Sequence, residues 1–154
     1  MPIIIPANSA TSGDLVTNSA RFNDASSDYL SRTPSSAGNR QKWTWSAWIK
    51  LGVLGTDRNL FGAYGHGNDN FKVNIADTDQ LSMRFYNGTE YELGLNRVMR
   101  DTSAWYHIVI VVDTTLSSGG DRFKIYINGV RESSFASAND PTQNLQMTIN
   151  DTTA

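Results

Sequence analysis

The sequence predicts an all-β, antiparallel fold, a sandwich or barrel, and three observations predict it. Short runs in which apolar residues alternate recur along the chain, separated by turn signals. Two Asn-Gly pairs, Asn87-Gly88 and Asn128-Gly129, each sit between two such runs. Asn-Gly tolerates the left-handed backbone of a type I′ turn, which makes it the strongest local sign of a hairpin. No segment carries the 3.6-residue periodicity of a convincing helix, and short strands punctuated by turns describe sandwiches and barrels.

The elements follow in order. Met1 to Asn18 opens with Ile3, Ile4 and Ile5 bracketed by Pro2 and Pro6. Proline favours extended backbone and cannot donate to a ladder, so residues 1–18 read as an extended arm whose isoleucines make assembly contacts. The domain proper is expected over 19–154. Arg21 to Asn23 and Tyr29 to Arg32 read as short strands around an Asp24–Asp28 turn, followed by a polar loop, Thr33 to Arg40. In Trp43 to Lys50, period two places Trp43, Trp45, Ala47 and Ile49 on one face. Trp48 lies on the other, so both sides of this strand are expected to be covered. All four tryptophans are expected in the core. Asn59–Tyr64, Phe71–Ala76, Leu81–Phe85 and the return through Tyr91, Leu93 and Leu95 continue the pattern. His107 to Val112 is almost continuously apolar and β-branched, as a central strand should be. Phe123 to Ile127 leads to the second Asn-Gly, Val130 to Phe135 returns, Ala136 to Asn144 reads as a loop, and Leu145 to Ile149 as a last strand.

Composition narrows the function. At 154 residues one domain is expected. A domain of this size buries roughly 70% of its unfolded surface, enough for a core without covalent staples. Cysteine is absent, which excludes disulfides, thiolate-ligated zinc and thiol nucleophiles. The net charge is -2, and no cluster of Lys and Arg offers a phosphate-binding surface, so no nucleic-acid partner is expected. The Ile3–Ile5 run is too short for a signal core or a membrane span, and no membrane insertion or export signal is expected.

Three of these segments in this order, WTWSAWIK (43–50), AWYHIVIVVD (104–113) and RFKIYINGV (122–130), resemble laminin-G-like members of the concanavalin A-like lectin/glucanase superfamily. The resemblance covers Ala20 onward and implies an antiparallel jelly-roll β-sandwich. With ARFNDASSDYLSRTPSSAGNR (20–40), the same segments are similar to laminin-G-like proteins encoded by tailed bacteriophages. That likeness implies a virion structural protein of the exterior, in a tail fibre, spike or capsid decoration, assembled in the host cytoplasm. Its implied partners are other virion proteins, further copies of itself and a host-surface glycan. Such proteins normally continue past Thr148–Ala154 with more strands. The fold is therefore expected to be incomplete at its C-terminus, as part of a longer chain or with a partner completing the sheet. A purely structural assembly module is the alternative role.

Catalysis and binding make different demands on the residues. Glycoside hydrolysis needs two carboxyl groups flanking the sugar bond. The three glutamates are Glu90, Glu92 and Glu132, and the Glu-x-Asp-x-(x)-Glu strand of glucanases is missing. No Gly-x-Ser-x-Gly elbow is present, and the only histidines are His66 and His107, the latter structural as the resemblance implies. A non-enzymatic protein is expected, with no required cofactor. Calcium is the ion that oxygen-rich loops would suit, with Asp69 and Asn70 as ligands and Asp77 and Asp79 at a nearby turn. Sugar recognition pairs an aromatic ring with amide and carboxylate hydrogen bonds. The candidates are Tyr64, His66, Asn68, Asp69, Asn70, Tyr86 and Asn87, with Tyr91 as a further exposed tyrosine. Loops on rigid sandwiches carry function, which places the 62–70 segment first.

Overall fold

A computed structural model describes residues 18–65 and 69–152. The Ile3–Ile5 arm lies outside them. The chain divides into two units, Met1–Arg32 and Thr33–Ala154. In the described part of the first unit, the strands expected at 21–23 and 29–32 do not form; the element there is a 3₁₀ turn, Asp24–Ser26. Side chains compete with the ladder at this point. The Asn23 amide donates to the Asp28 carboxylate (2.9 Å) and the Asn23 side chain accepts from the Ala25 amide. Tyr29 and Leu30 are exposed, so no apolar face drives pairing.

Among the described residues all strands lie in the second unit: β1 (Lys42–Ile49), β2 (Arg58–Tyr64), β3 (Asn70–Ile75), β4 (Gln80–Tyr86), β5 (Glu90–Val98), β6 (Tyr106–Asp113), β7 (Phe123–Ile127), β8 (Val130–Arg131) and β9 (Phe135–Asn139). Every pairing is antiparallel. One sheet has the order β1-β6-β7-β8, the other β2-β3-β4-β5-β9. β6 is internal to its sheet, as its apolar run predicts. Among the described residues no helix is long and apolar enough to cross a membrane.

The alternation of each strand is what builds the core. From the first sheet Ile108, Ile110, Val112, Phe123, Ile125 and Ile127 point inward; from the second, Phe71, Val73, Ile75, Leu81, Met83, Phe85, Leu93 and Leu95. Aromatic rings join the sheets along one side. Trp43 meets Phe71 edge-on at 4.9 Å, and Trp45 stacks on Phe61 at 5.5 Å. Offset and edge-on ring contacts add to simple burial. Tyr91, expected to be exposed, is buried and stacks on Phe85. Its register position opposite Phe85 puts it on the inner face.

The two Asn-Gly sites differ. Asn128 (φ 52°) and Gly129 (φ 81°) are both left-handed and link the paired Ile127 and Val130, a type I′ hairpin as expected. At the first site only Gly88 is left-handed, at 93°. The connection there is the three residues Asn87–Thr89 between β4 and β5, and the Asn87 side chain accepts from the Thr89 amide.

Two further expectations are corrected. The return strand is only Val130–Arg131; the chain then crosses to the other sheet, where Phe135–Asn139 pairs with β5 instead of forming a loop. Leu145–Ile149 is not a strand. The segment is held by isolated bonds instead: the Met147 amide to the Arg40 carbonyl, the Gly38 amide to the Asn150 carbonyl, and an Arg40–Asp151 ion pair at 2.9 Å. Met147 and Ile149 still enter the core, so burial and not pairing explains their apolar character.

Asp79 ties three connections together. It is left-handed (φ 62°) and buried. Its carboxylate accepts from the Gly55 amide (2.8 Å) and the Arg100 guanidinium (3.2 Å), with Arg58 at 3.8 Å. Its backbone carbonyl accepts from the Met99 amide. The Gly55 bond, against a smaller opposing effect of desolvation and helped by Arg100 and Arg58, holds the carboxyl below its ordinary range. A carboxyl with a depressed folded-state pKa stabilises the fold above its unfolded value, near pH ~4, and loses that contribution as pH falls through the folded value.

Two outcomes are expected. Phe71→Ala, which empties a fully buried site beneath Trp43, should cost about 3–5 kcal/mol in denaturant unfolding. Asp79→Asn should flatten the acid limb of the stability–pH curve below about pH 4, removing up to roughly one proton from its slope. An unchanged limb in urea titrations at pH 2.5–5 (about the carboxylate range) would show that Asp79 does not couple protons to folding.

Candidate functional site

Antiparallel register, not sequence proximity, assembles the candidate residues. On the outer face of the second sheet Tyr64 pairs with Asn70, Asn70 with Tyr86, and Tyr86 with Glu90. One row therefore crosses four strands and carries two phenol rings, an amide and a carboxylate. Asn87 follows Tyr86 at the end of β4. The 65–69 and 87–89 connections leave the sheet from the same end of these strands.

Tyr64 is 67% exposed, at the end of the edge strand β2. Tyr86 is half-buried and Asn87 exposed. Asp69 accepts the Gly65 amide on its backbone carbonyl (2.9 Å), which closes the described part of the loop. His66 and Asn68 lie outside the described residues.

The next row inward is charged: Gly62, Lys72, Arg84, Glu92 and Asn139. Arg84 reaches across to Glu90 at 2.9 Å, and the Asn139 amide donates to the Glu90 carbonyl. Glu90 and Glu92 thus share the outer face, as their spacing predicts, with Glu90 engaged by an arginine. Beyond them the same face forms a shallow depression of about 150 Å³ between Gln80, Ser82, Glu92, Gly94 and Ser137. A Cβ at Gly94 would lie 2.5 Å from the Ser137 hydroxyl, so a larger residue there would have to push that side chain aside.

The described acidic residues do not converge on an ion. Among the described residues no group of three His, Cys, Asp or Glu side chains could hold a metal. Asp79, placed at the rim by its turn, spends its oxygens on Gly55, Arg100 and Arg58.

The sequence reading missed part of this site and part of another surface. Glu90 joins the tyrosine row, and Arg84 comes beside it, only through cross-strand register, which sequence spacing does not supply. Trp48 and Trp105, expected in the core, are 61% and 48% exposed. Trp48 stacks on His107 at 4.8 Å on the outer face of the first sheet, and His107 Nε2 lies 2.9 Å from the Ser46 hydroxyl. The signal was present in the alternation, which sets Trp48 against Trp43 and Trp45. Within the Thr33–Ala154 unit, the described residues leave both indoles open on that face.

A two-sheet antiparallel sandwich bearing aromatic, amide and carboxylate groups on an outer face is the architecture of a lectin-like domain. The chain belongs to the concanavalin A-like lectin/glucanases superfamily, in its laminin G type, which it matches over residues 24–151. That membership fits carbohydrate binding in general. No curated protein and no solved structure matches the chain.

Because Tyr64 is exposed, Tyr64→Ala should leave stability within about 0.5 kcal/mol of wild type. Thermal unfolding checks this; a larger loss would show that the ring supports the loop and not a ligand.

Proposed function

We propose that this protein is a non-catalytic carbohydrate-binding module of a bacteriophage virion, carried on an exterior appendage and used for attachment to the host surface. The row of Tyr64, Asn70, Tyr86 and Glu90 carries the reading. A pyranose presents an apolar C–H face and a rim of hydroxyls. An exposed phenol ring covers the first, while amide and carboxylate groups bond the second. Four consecutive strands fix the row, so little ordering entropy is lost on binding. The virion setting rests on the likeness of the 20–40, 43–50, 104–113 and 122–130 segments to phage-encoded laminin-G-like proteins. Other virion proteins and further copies of the chain are its expected neighbours.

Binding without cleavage is supported by the carboxylates. Glu90 is committed to Arg84, and no aspartate separates it from Glu92 in the arrangement that glucanases use. If the reading is right, the purified protein binds the surface polysaccharide of the phage's host. Tyr64→Ala with Tyr86→Ala should then weaken binding by roughly tenfold or more, on the scale of about 1.4 kcal/mol per decade. No reducing ends should appear on prolonged incubation. Release of oligosaccharides that stops in Glu90→Gln would make the protein an enzyme, and undiminished binding by the double variant would move the site elsewhere.

A further inference from the structure

The outer face of the first sheet holds a second set of rings, unrelated to the tyrosine row. Trp48 is 61% exposed and lies against the His107 ring with their planes 19° apart, and His107 is itself held. Ser46 engages its Nε2, and Asn128 accepts its backbone amide at 2.8 Å. Trp105, two residues before His107, adds a second exposed indole. The adjoining row is Ser46, Val109 and Tyr126.

The charges of this face are matched within it. Lys42 pairs with Asp113 at 3.4 Å, and Lys124 and Arg131 both pair with Asp121, at 3.6 and 3.1 Å. Thr115 and Lys42 hold the Asp113 carboxyl below its ordinary range, as Arg131 and Lys124 do for Asp121. These described charges already have partners, so they are poorly placed to receive an ionic ligand. A protein partner would prefer a contiguous apolar patch, whereas here hydroxyls of Ser46 and Tyr126 alternate with the rings. An uncharged ligand with one apolar face and a hydroxyl rim matches both features.

We propose that Trp48, oriented by His107, is the platform of a second carbohydrate site, one that takes a neutral hexopyranose. The indole covers the sugar's C–H face, and Ser46 and Tyr126 bond its hydroxyls. This site lies on the opposite sheet from the tyrosine row and does not depend on it.

Affinity electrophoresis of the full chain through gels containing dextran, mannan, galactan or β-glucan tests it. The expected result is retardation by at least one of these neutral polymers. Trp48→Ala should weaken it by roughly tenfold, the worth of an aromatic stacking contact, and Trp48→Phe should keep part of it. Tyr64→Ala with Tyr86→Ala should leave the Trp48-dependent part intact. Because Trp48 is exposed, the variants should unfold at the wild-type midpoint, which circular dichroism checks. Retardation that Trp48→Ala leaves unchanged overturns the proposal, as does no retardation by any of the four. Loss only in the tyrosine double variant overturns it while leaving the first site standing. A wild-type dimer in sedimentation that Trp48→Ala dissolves assigns the face to a second copy and overturns it too.

Discussion

The edge-on contact of Trp43 with Phe71 is the constraint on which the rest of the structure turns. It joins the first strand of one sheet to the second strand of the other, at 4.9 Å, with Phe61 and Trp45 stacked alongside. Once these rings are in place, period two leaves each strand no choice. Trp43, Trp45, Phe61 and Phe71 must face inward, so Ser46, Trp48, Tyr64 and Asn70 must face out. A one-residue slip in any ladder would exchange the two sets and expose the core. The make-up of the outer faces is therefore a by-product of core packing, and they inherit its rigidity.

The connections are organised by a different force. Sheets packed face to face leave their ends open, and polar groups must close them. Asp79 does this at one place, since its carboxylate and carbonyl reach the segments around Gly55, Met99 and Arg100. Arg122 does it at another, with its guanidinium bonded to the Leu116, Ser117 and Pro141 carbonyls. Both substitute directed hydrogen bonds for the regular ladder that irregular backbone lacks. The 144–151 segment is closed in the same way, while Met147, Thr148 and Ile149 fill the core beneath it.

The two outer faces then take different chemistry. The second sheet carries phenols, amides and a Glu90–Arg84 pair in rows that span several strands. The first carries a Trp48–His107 stack among matched ion pairs. In the proposed readings each face takes a ligand with a flat apolar side and a hydroxyl rim. That combination is what membership of a lectin and glucanase superfamily leads one to look for.

Much of this was legible along the chain. The alternation in β1, β3, β4 and β7 is a local property, and it was read correctly because each strand buries one face. The Asn128-Gly129 turn was legible for the same reason: two adjacent residues suffice to make it. Asn87-Gly88 was not, because the three residues between β4 and β5 make a longer loop. The apolar run 145–149 was misread as a strand because burial alone, without pairing, can select Met147 and Ile149. By itself, then, the sequence determined the fold class, most of the strands and which side of each faces the core, all properties of neighbours along the chain. Only the tertiary structure decided that Tyr64, Asn70, Tyr86 and Glu90 form one row, and that Trp48 lies on His107 in the open. Both depend on register between strands distant in sequence, and register is set by how whole faces pack, which no local pattern encodes.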